Sequence, residues 1–319
     1  PATLTLAEGS TTAYVYYLGE DGVALEAYEG MYDAEANSVT VDLKHFSPYG
    51  ISANEQETAV ASVTIGNETK NYTDLKTAIA AANNANSGSV VTVELLADVS
   101  VDATGANNNN GALNITRAMT INGHNFTITA ATPFNNGDNN VHLLNIMSND
   151  GKVVINDLNL DGNNVARNVL NVYNSSDVEL NNVDVQNATN QGLVVNGSTV
   201  VANELTSAGN KNGGVYVDND SAAFTMNSGE LQDNLVAEGR ATTIKGGTFD
   251  GSVLILGGTG AISGGTFNGT VSGKPDNLTV SGGSFKSDMS SYADDTQIIY
   301  EVTADGTYSY YTDVDDALA

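Results

Sequence analysis

The chain has 319 residues, 40% of them apolar, enough for one long solenoid or two to three compact domains. With 38 acidic against 11 basic residues it carries a formal charge of −27, which repels nucleic acid and anionic membranes and excludes both as partners. Cysteine is absent, which excludes disulfides and thiol chemistry, and no apolar run is long enough to span a bilayer.

The chain opens on the strand-like Thr3-Leu4-Thr5-Leu6 with no leader before it, so an exported protein is expected here as a mature or excised piece. Short alternating runs follow at Ala13–Leu18, Val23–Tyr28 and Ser38–Leu43, ending in His45-Phe46-Ser47-Pro48-Tyr49. Residues 1–53 therefore read as a small antiparallel β domain entered partway, and 54–62 as a linker. Within 63–98, Thr73-Asp74-Leu75-Lys76-Thr77-Ala78-Ile79 starts an amphipathic helix with Leu75, Ala78, Ile79 and Ala82 on one face. Thr73 is the expected N-cap, and Asp74 suits the positive end of the helix dipole. The strand Val90–Leu96 follows, and the helix is expected to cap the N-terminal end of what comes next.

Residues 99–288 are internally repetitive. Ile244-Lys245-Gly246-Gly247-Thr248-Phe249 recurs after 18 residues as Ile262-Ser263-Gly264-Gly265-Thr266-Phe267, and after 18 more as Val280-Ser281-Gly282-Gly283-Ser284-Phe285. With Lys245 as reference position, its earlier equivalents are Asn227, Asn203, Asn181, Asn156 and Asn122. An apolar residue precedes each of these, and Phe126, Leu158, Val183, Leu205, Leu231, Phe249, Phe267 and Phe285 follow them as a second apolar set. A further column reads Leu113-x-Ile115, Leu144-x-Ile146, Leu170-x-Val172, Leu193-x-Val195, Val215-x-Val217, Leu235-x-Ala237 and Val253-x-Ile255. Two strands per 18–25 residues in constant phase describe the coils of a parallel β-helix. The recurring asparagines are expected at tight corners, with Asn156, Asn181, Asn203 and Asn227 stacked as an amide ladder. Ala103–Asn110 and Ala131–Asn140 read as surface loops, either binding elements or tolerated insertions.

Residues 302–319 repeat residues 63–80 at a constant offset of 239, with Val63/Val302, Thr64/Thr303, Tyr72/Tyr311, Thr73/Thr312, Asp74/Asp313, Ala78/Ala317 and Ala80/Ala319 identical. Residues 289–319 are thus expected as a hairpin and helix that either cap the coils or begin another module. The fold class is all-β: a solenoid with an N-terminal helical cap, preceded by the small antiparallel domain.

The Gly-Gly-Thr-Phe coils, the Tyr72-Thr73-Asp74-Leu75 helix start with its following strand, and the His45-Phe46-Ser47-Pro48-Tyr49 ending together resemble repeat modules of large adhesin-like surface proteins of gut bacteria. The resemblance covers about residues 63–319 and implies a right-handed parallel β-helix of the pectate-lyase-like kind and an extracellular or cell-surface location. It implies architecture rather than activity.

That superfamily includes polysaccharide lyases and glycoside hydrolases, so catalysis is the alternative. The bases Arg117, Lys152, Arg167, Lys211, Arg240, Lys245, Lys274 and Lys286 form no acid–base cluster repeated across coils. Asp157 and Asp184, with Asp161 and Asp177 near, are the carboxylates a glycosidase would need as a pair. His45, His124 and His142 have no metal-ligand spacing, and Asp218-Asn219-Asp220 reads as a turn rather than a calcium loop. Gly257-Gly258-Thr259-Gly260 precedes a strand and reads as a coil corner. No catalytic, cofactor or metal residue is therefore assigned. The one candidate surface is the outward stripe of the further column, polar at Asn114, Asn145 and Asn171 and apolar at Val194, Tyr216, Val236 and Leu254. Those four are either a contact surface or are covered by another segment of the chain. Expected partners are host or dietary glycans, surface proteins, and neighbouring modules of the same chain.

Overall fold

In the computed structural model of the chain, the described residues are 11–36, 38–44, 48–52, 55–106, 110–134, 140–174, 176–274, 276–294, 296 and 299–318. The strand-like start at 3–6 and His45-Phe46-Ser47 lie outside them. Strand makes up 53% of the described residues and helix 6%, so the class is all-β. The chain divides into two compact units, 1–97 and 98–319.

In the first unit, four antiparallel strands pair in the order Ser38–Thr40, Ala24–Asp33, Thr12–Leu18, Tyr49–Ser52. The segment expected as a linker is tied down. Gln56 N donates to Tyr16 Oη at 2.7 Å, Ala59 N donates to Ala24 O at 2.6 Å, and Ala59 and Ala61 are buried. Ala61–Ile65 and Glu68–Tyr72 then form a hairpin, and Val91–Leu95 pairs with the other edge of Ala61–Ile65. The helix Leu75–Asn83 buries Leu75, Ala78, Ile79 and Ala82 and packs on these strands. Its N-cap is Asp74, not Thr73: the Asp74 carboxylate accepts Thr77 N at 2.8 Å, where an anion also meets the helix dipole.

The second unit is a parallel β-solenoid, and each of its coils has three faces where the sequence showed two strands. The strands Lys152–Asp161 and Asp177–Gln186 each bend midway, at Asp157 (φ 50°) and Asn182 (φ 56°). The bend splits them between a first and a second face. In later coils the two halves are separate strands, such as Thr199–Ala202 and Leu205–Ala208, which pair with the two halves of Asp177–Gln186. The third face is a sheet of eight parallel strands, from Gly111–Ile115 to Val271–Gly273, stacked in chain order.

Register follows the apolar columns. On the first face Ile121, Ile155, Leu180, Ala202, Met226, Ile244, Ile262 and Val280 are successive partners. On the third face the pairs from Leu113/Ile115 to Val253/Ile255 stack as expected. All of these point inward and are buried. The second-face column departs at one step: Leu205 stacks on Gly229, and Leu231 on Ser207. A Cβ at Gly229 would lie 2.1 Å from Leu205 O, so no side chain fits, and the inward apolar residue moves two positions on. Phe249, Phe267 and Phe285 continue from Leu231, with ring centroids 4.6 Å apart at each step, close to the spacing of adjacent strands.

The asparagine ladder is present. Asn156 Nδ2 donates to Asn122 Oδ1 at 2.8 Å, Asn181 to Asn156 at 2.8 Å, Asn203 to Asn181 at 2.5 Å, and Asn227 to Asn203 at 2.6 Å. The ladder residues are not themselves the left-handed ones. That conformation falls on the next residue, Asp157 or Asn182, and in the last coils it passes to Gly247, Gly265 and Gly283, with φ of 105°, 108° and 112°.

At the C-terminal end, Tyr300–Ala304 and Thr307–Tyr311 form a hairpin whose second strand pairs antiparallel with Leu278–Phe285. Tyr310 is buried and meets Phe285 edge-on at 5.8 Å, extending the aromatic column by one ring. Its hydroxyl donates to Asp288 Oδ1 at 3.0 Å and accepts Met289 N–H at 2.8 Å. Burial, with the Asp288 and Glu301 carboxylates, raises the Tyr310 pKa, so the hydroxyl stays a donor.

Candidate functional site

The outward stripe of the third face is one residue per coil in strict register: Asn114, Asn145, Asn171, Val194, Tyr216, Val236 and Leu254 are successive partners. Its exposure runs against its polarity. Asn145 is 1% exposed and Asn171 also buried, whereas Tyr216, Val236 and Leu254 are half-buried and only Val194, at 7%, is closed off among the four expected contact residues. The buried amides satisfy each other as a second ladder: Asn171 Nδ2 donates to Asn145 Oδ1 at 2.7 Å, and Asn145 Nδ2 to Asn114 Oδ1 at 3.2 Å.

A groove of about 700 Å³ lies over the middle of this face. Asn171, Val194 and Tyr216 belong to its floor, one from each of three coils. Asn168 and Asn190 line one side. They belong to a third ladder, in which Asn190 Nδ2 donates to Asn168 Oδ1 at 3.0 Å and Asn212 Nδ2 to Asn190 Oδ1 at 2.7 Å. Tyr173, Asn196 and Asp218 line the other side, again one per coil. Asn196 Nδ2 donates to Asp218 Oδ2 at 2.8 Å, while Tyr173 is 46% exposed and presents a ring. Val236 and Leu254 continue the stripe outside the groove lining.

His142 and Arg167, with Asn110, also line the groove. His142 is buried, and its Nδ1 has no hydrogen-bond partner among the described residues. Burial, reinforced by the Arg167 charge, pushes its pKa down to about 4, so the ring is neutral at neutral pH. Tyr216 Oη donates to Glu238 Oε2 at 2.8 Å, and burial together with that bond holds its pKa up to about 12. The groove thus offers amide donors and acceptors, a neutral imidazole, a guanidinium, one carboxylate and two phenol rings.

The carboxylates weighed for catalysis lie elsewhere. Asp157 accepts Asn182 Nδ2 at 2.8 Å at the bend between the first two faces. Asp161 accepts Asn163 N at 2.7 Å and Asn187 Nδ2 at 2.9 Å. Asp184 stacks between Asn159 and Thr206 on the second face, and Asp177 between Lys152 and Thr199 on the first. Asp157 and Asp161 thus hold corner amides. Among the described residues no group of three or more His, Asp or Glu could hold a metal ion.

Sequence reasoning reached the floor of the groove through Val194 and Tyr216 but missed its sides. One signal was available: Asn168, Asn190, Asn212 and Asn234 recur at intervals of 22 residues, a third column in the phase of the coils. No protein-family model, curated protein or solved structure matches this chain.

Proposed function

We propose that this chain is a non-catalytic segment of a bacterial cell-surface or secreted protein, a right-handed, pectate-lyase-like solenoid whose third-face groove binds a short neutral glycan. The observation that carries the reading is the groove lining: stacked side-chain amides beside the exposed Tyr173 ring. Sugar hydroxyls donate and accept at once, as amides do, and the apolar face of a pyranose packs on aromatic rings. The net charge of −27 disfavours acidic polysaccharides. The rest of the rod serves as a spacer between neighbouring modules.

A glycan array followed by calorimetric titration tests this. Binding of a neutral oligosaccharide that Tyr173→Ala and Asn190→Ala abolish is the expected result. Reducing-sugar and unsaturated-product assays on acidic polysaccharides test the alternative, a lyase or glycoside hydrolase. Turnover lost in Asp157→Ala or Asp184→Ala would overturn the binding reading, and a protein that neither binds nor cleaves would be a spacer alone.

A further inference from the structure

The sequence repeat is also a structural one over 63–79 and 302–318, where the hairpin registers and the helix starts correspond. Ala61–Ile65 pairs with Glu68–Tyr72 in the register Val63↔Lys70 and Ile65↔Glu68, and Tyr300–Ala304 pairs with Thr307–Tyr311 in the register Val302↔Ser309 and Ala304↔Thr307. Both hairpins turn through two residues and lead into a helix, where Ala78 N donates to Asp74 O in the first copy and Ala317 N to Asp313 O in the second.

The copies differ in what covers them. In the first, Val91–Leu95 pairs antiparallel along the free edge of Ala61–Ile65, and the helix closes over the sheet. In the second, the one ladder of Tyr300–Ala304 among the described residues is with its hairpin partner. The apolar positions register the difference. Val63 is 2% exposed and its counterpart Val302 37%, while Ile79 is 5% exposed and its counterpart Leu318 81%. Leu75, buried, and its counterpart Val314, exposed, follow the same pattern.

We infer that the edge of Tyr300–Ala304 and the apolar side of Val314–Leu318 form an acceptor site for one antiparallel β-strand with alternating apolar residues, of the Val91-Thr92-Val93-Glu94-Leu95 kind. The first copy supplies the template. There Gly66 N donates to Val90 O at 3.0 Å and Leu96 N to Val60 O at 2.9 Å, so by alternation the N–H groups of Ser62 and Thr64 face the added strand. Their counterparts are Glu301 and Thr303. An incoming strand pairs with those two residues and brings its Val93 equivalent against Val302, as Val93 lies opposite Val63. Burying that side chain and Val302 under the short helix supplies the apolar contact that an isolated strand edge lacks.

A synthetic peptide of residues 89–97 added to the intact protein tests the site by calorimetry and by amide exchange. Saturable binding is expected, with slowed exchange at Glu301 and Thr303. Thr303→Pro removes an edge donor without touching the inner ladder and should weaken binding by about tenfold or more. A Val93→Asp peptide should fail against the unaltered protein, which keeps the test independent of how the variant folds. Absence of saturable binding, or binding indifferent to both changes, would overturn the inference. So would a dimer formed through this edge without peptide, detected by light scattering, because the occupant would then be a second copy of the chain.

Discussion

The side-chain amide of Asn181 donates to Asn156 Oδ1 at 2.8 Å while its own oxygen accepts Asn203 Nδ2 at 2.5 Å. Each ladder amide is half-buried at a corner, so removing Asn181 takes the ladder partner from the Asn156 Oδ1 acceptor on the preceding coil and from the Asn203 Nδ2 donor on the following one. Asn181→Ala is expected to destabilise the solenoid by about 1–3 kcal/mol. Asn181→Asp is expected to cost more, since a carboxylate has no donor for Asn156 and would stand near Glu179, 3.5 Å from the present amide. Urea unfolding combined with amide exchange at 152–156 and 199–202 would measure this, and a wild-type midpoint for Asn181→Ala would remove the ladder from the stabilising interactions.

Phe267 lies between two parallel rings, Phe249 and Phe285, and is fully buried. Phe267→Ala opens a cavity in the middle of that column and is expected to cost about 3–5 kcal/mol, while Phe267→Leu costs clearly less. Gly265→Ala is expected to be damaging for a different reason. Gly265 has φ of 108°, and a Cβ there would sit 3.1 Å from Gly247 O and 3.3 Å from the Phe267 ring. Thermal and chemical denaturation of the three variants would check the order.

His142 makes stability depend on pH. In the unfolded chain its pKa returns to 6.5, and in the folded chain burial holds it at about 4. Below 6.5 the unfolded state therefore binds a proton that the folded state refuses, so stability falls as the pH drops and the loss is complete below about 4. Its size is about 3 kcal/mol. His142→Gln should flatten this part of the profile. Urea midpoints at pH 7 and pH 4.5 for both proteins would decide, and equal acid sensitivity would place the loss elsewhere.

Tyr310 fastens the C-terminal hairpin to the last coil. Tyr310→Phe leaves the ring against Phe285 but strands the buried N–H of Met289, and is expected to cost about 1–3 kcal/mol locally. Asp288 shares the same contact: the Ser290 N–H and hydroxyl and the Tyr310 hydroxyl hold its carboxyl below the ordinary range. That contribution is present above the usual carboxylate pKa and is lost as pH falls through the lowered one. Limited proteolysis of residues 300–318 at neutral and acid pH should show faster cleavage in the variant and at low pH.

Amino-acid order alone determined the solenoid core. Ile155, Leu180 and Ala202, or Leu144, Leu170 and Leu193, recur in phase because each inward side chain must bury itself against the same position one coil away. The sequence also carried the asparagine ladder, since a stacked amide requires an asparagine in each successive coil. Tertiary structure decided what depends on space between coils. Gly229 moves the second-face column by two residues because the Leu205 backbone leaves no room for a side chain. Asp157 and Asn182, left-handed at the bend, divide one apparent strand into two faces. The groove was decided the same way: Val194 and Tyr216 were visible as a stripe, but His142 and Tyr173 join them only because different coils bring them to one concave surface, and no local pattern encodes that closeness.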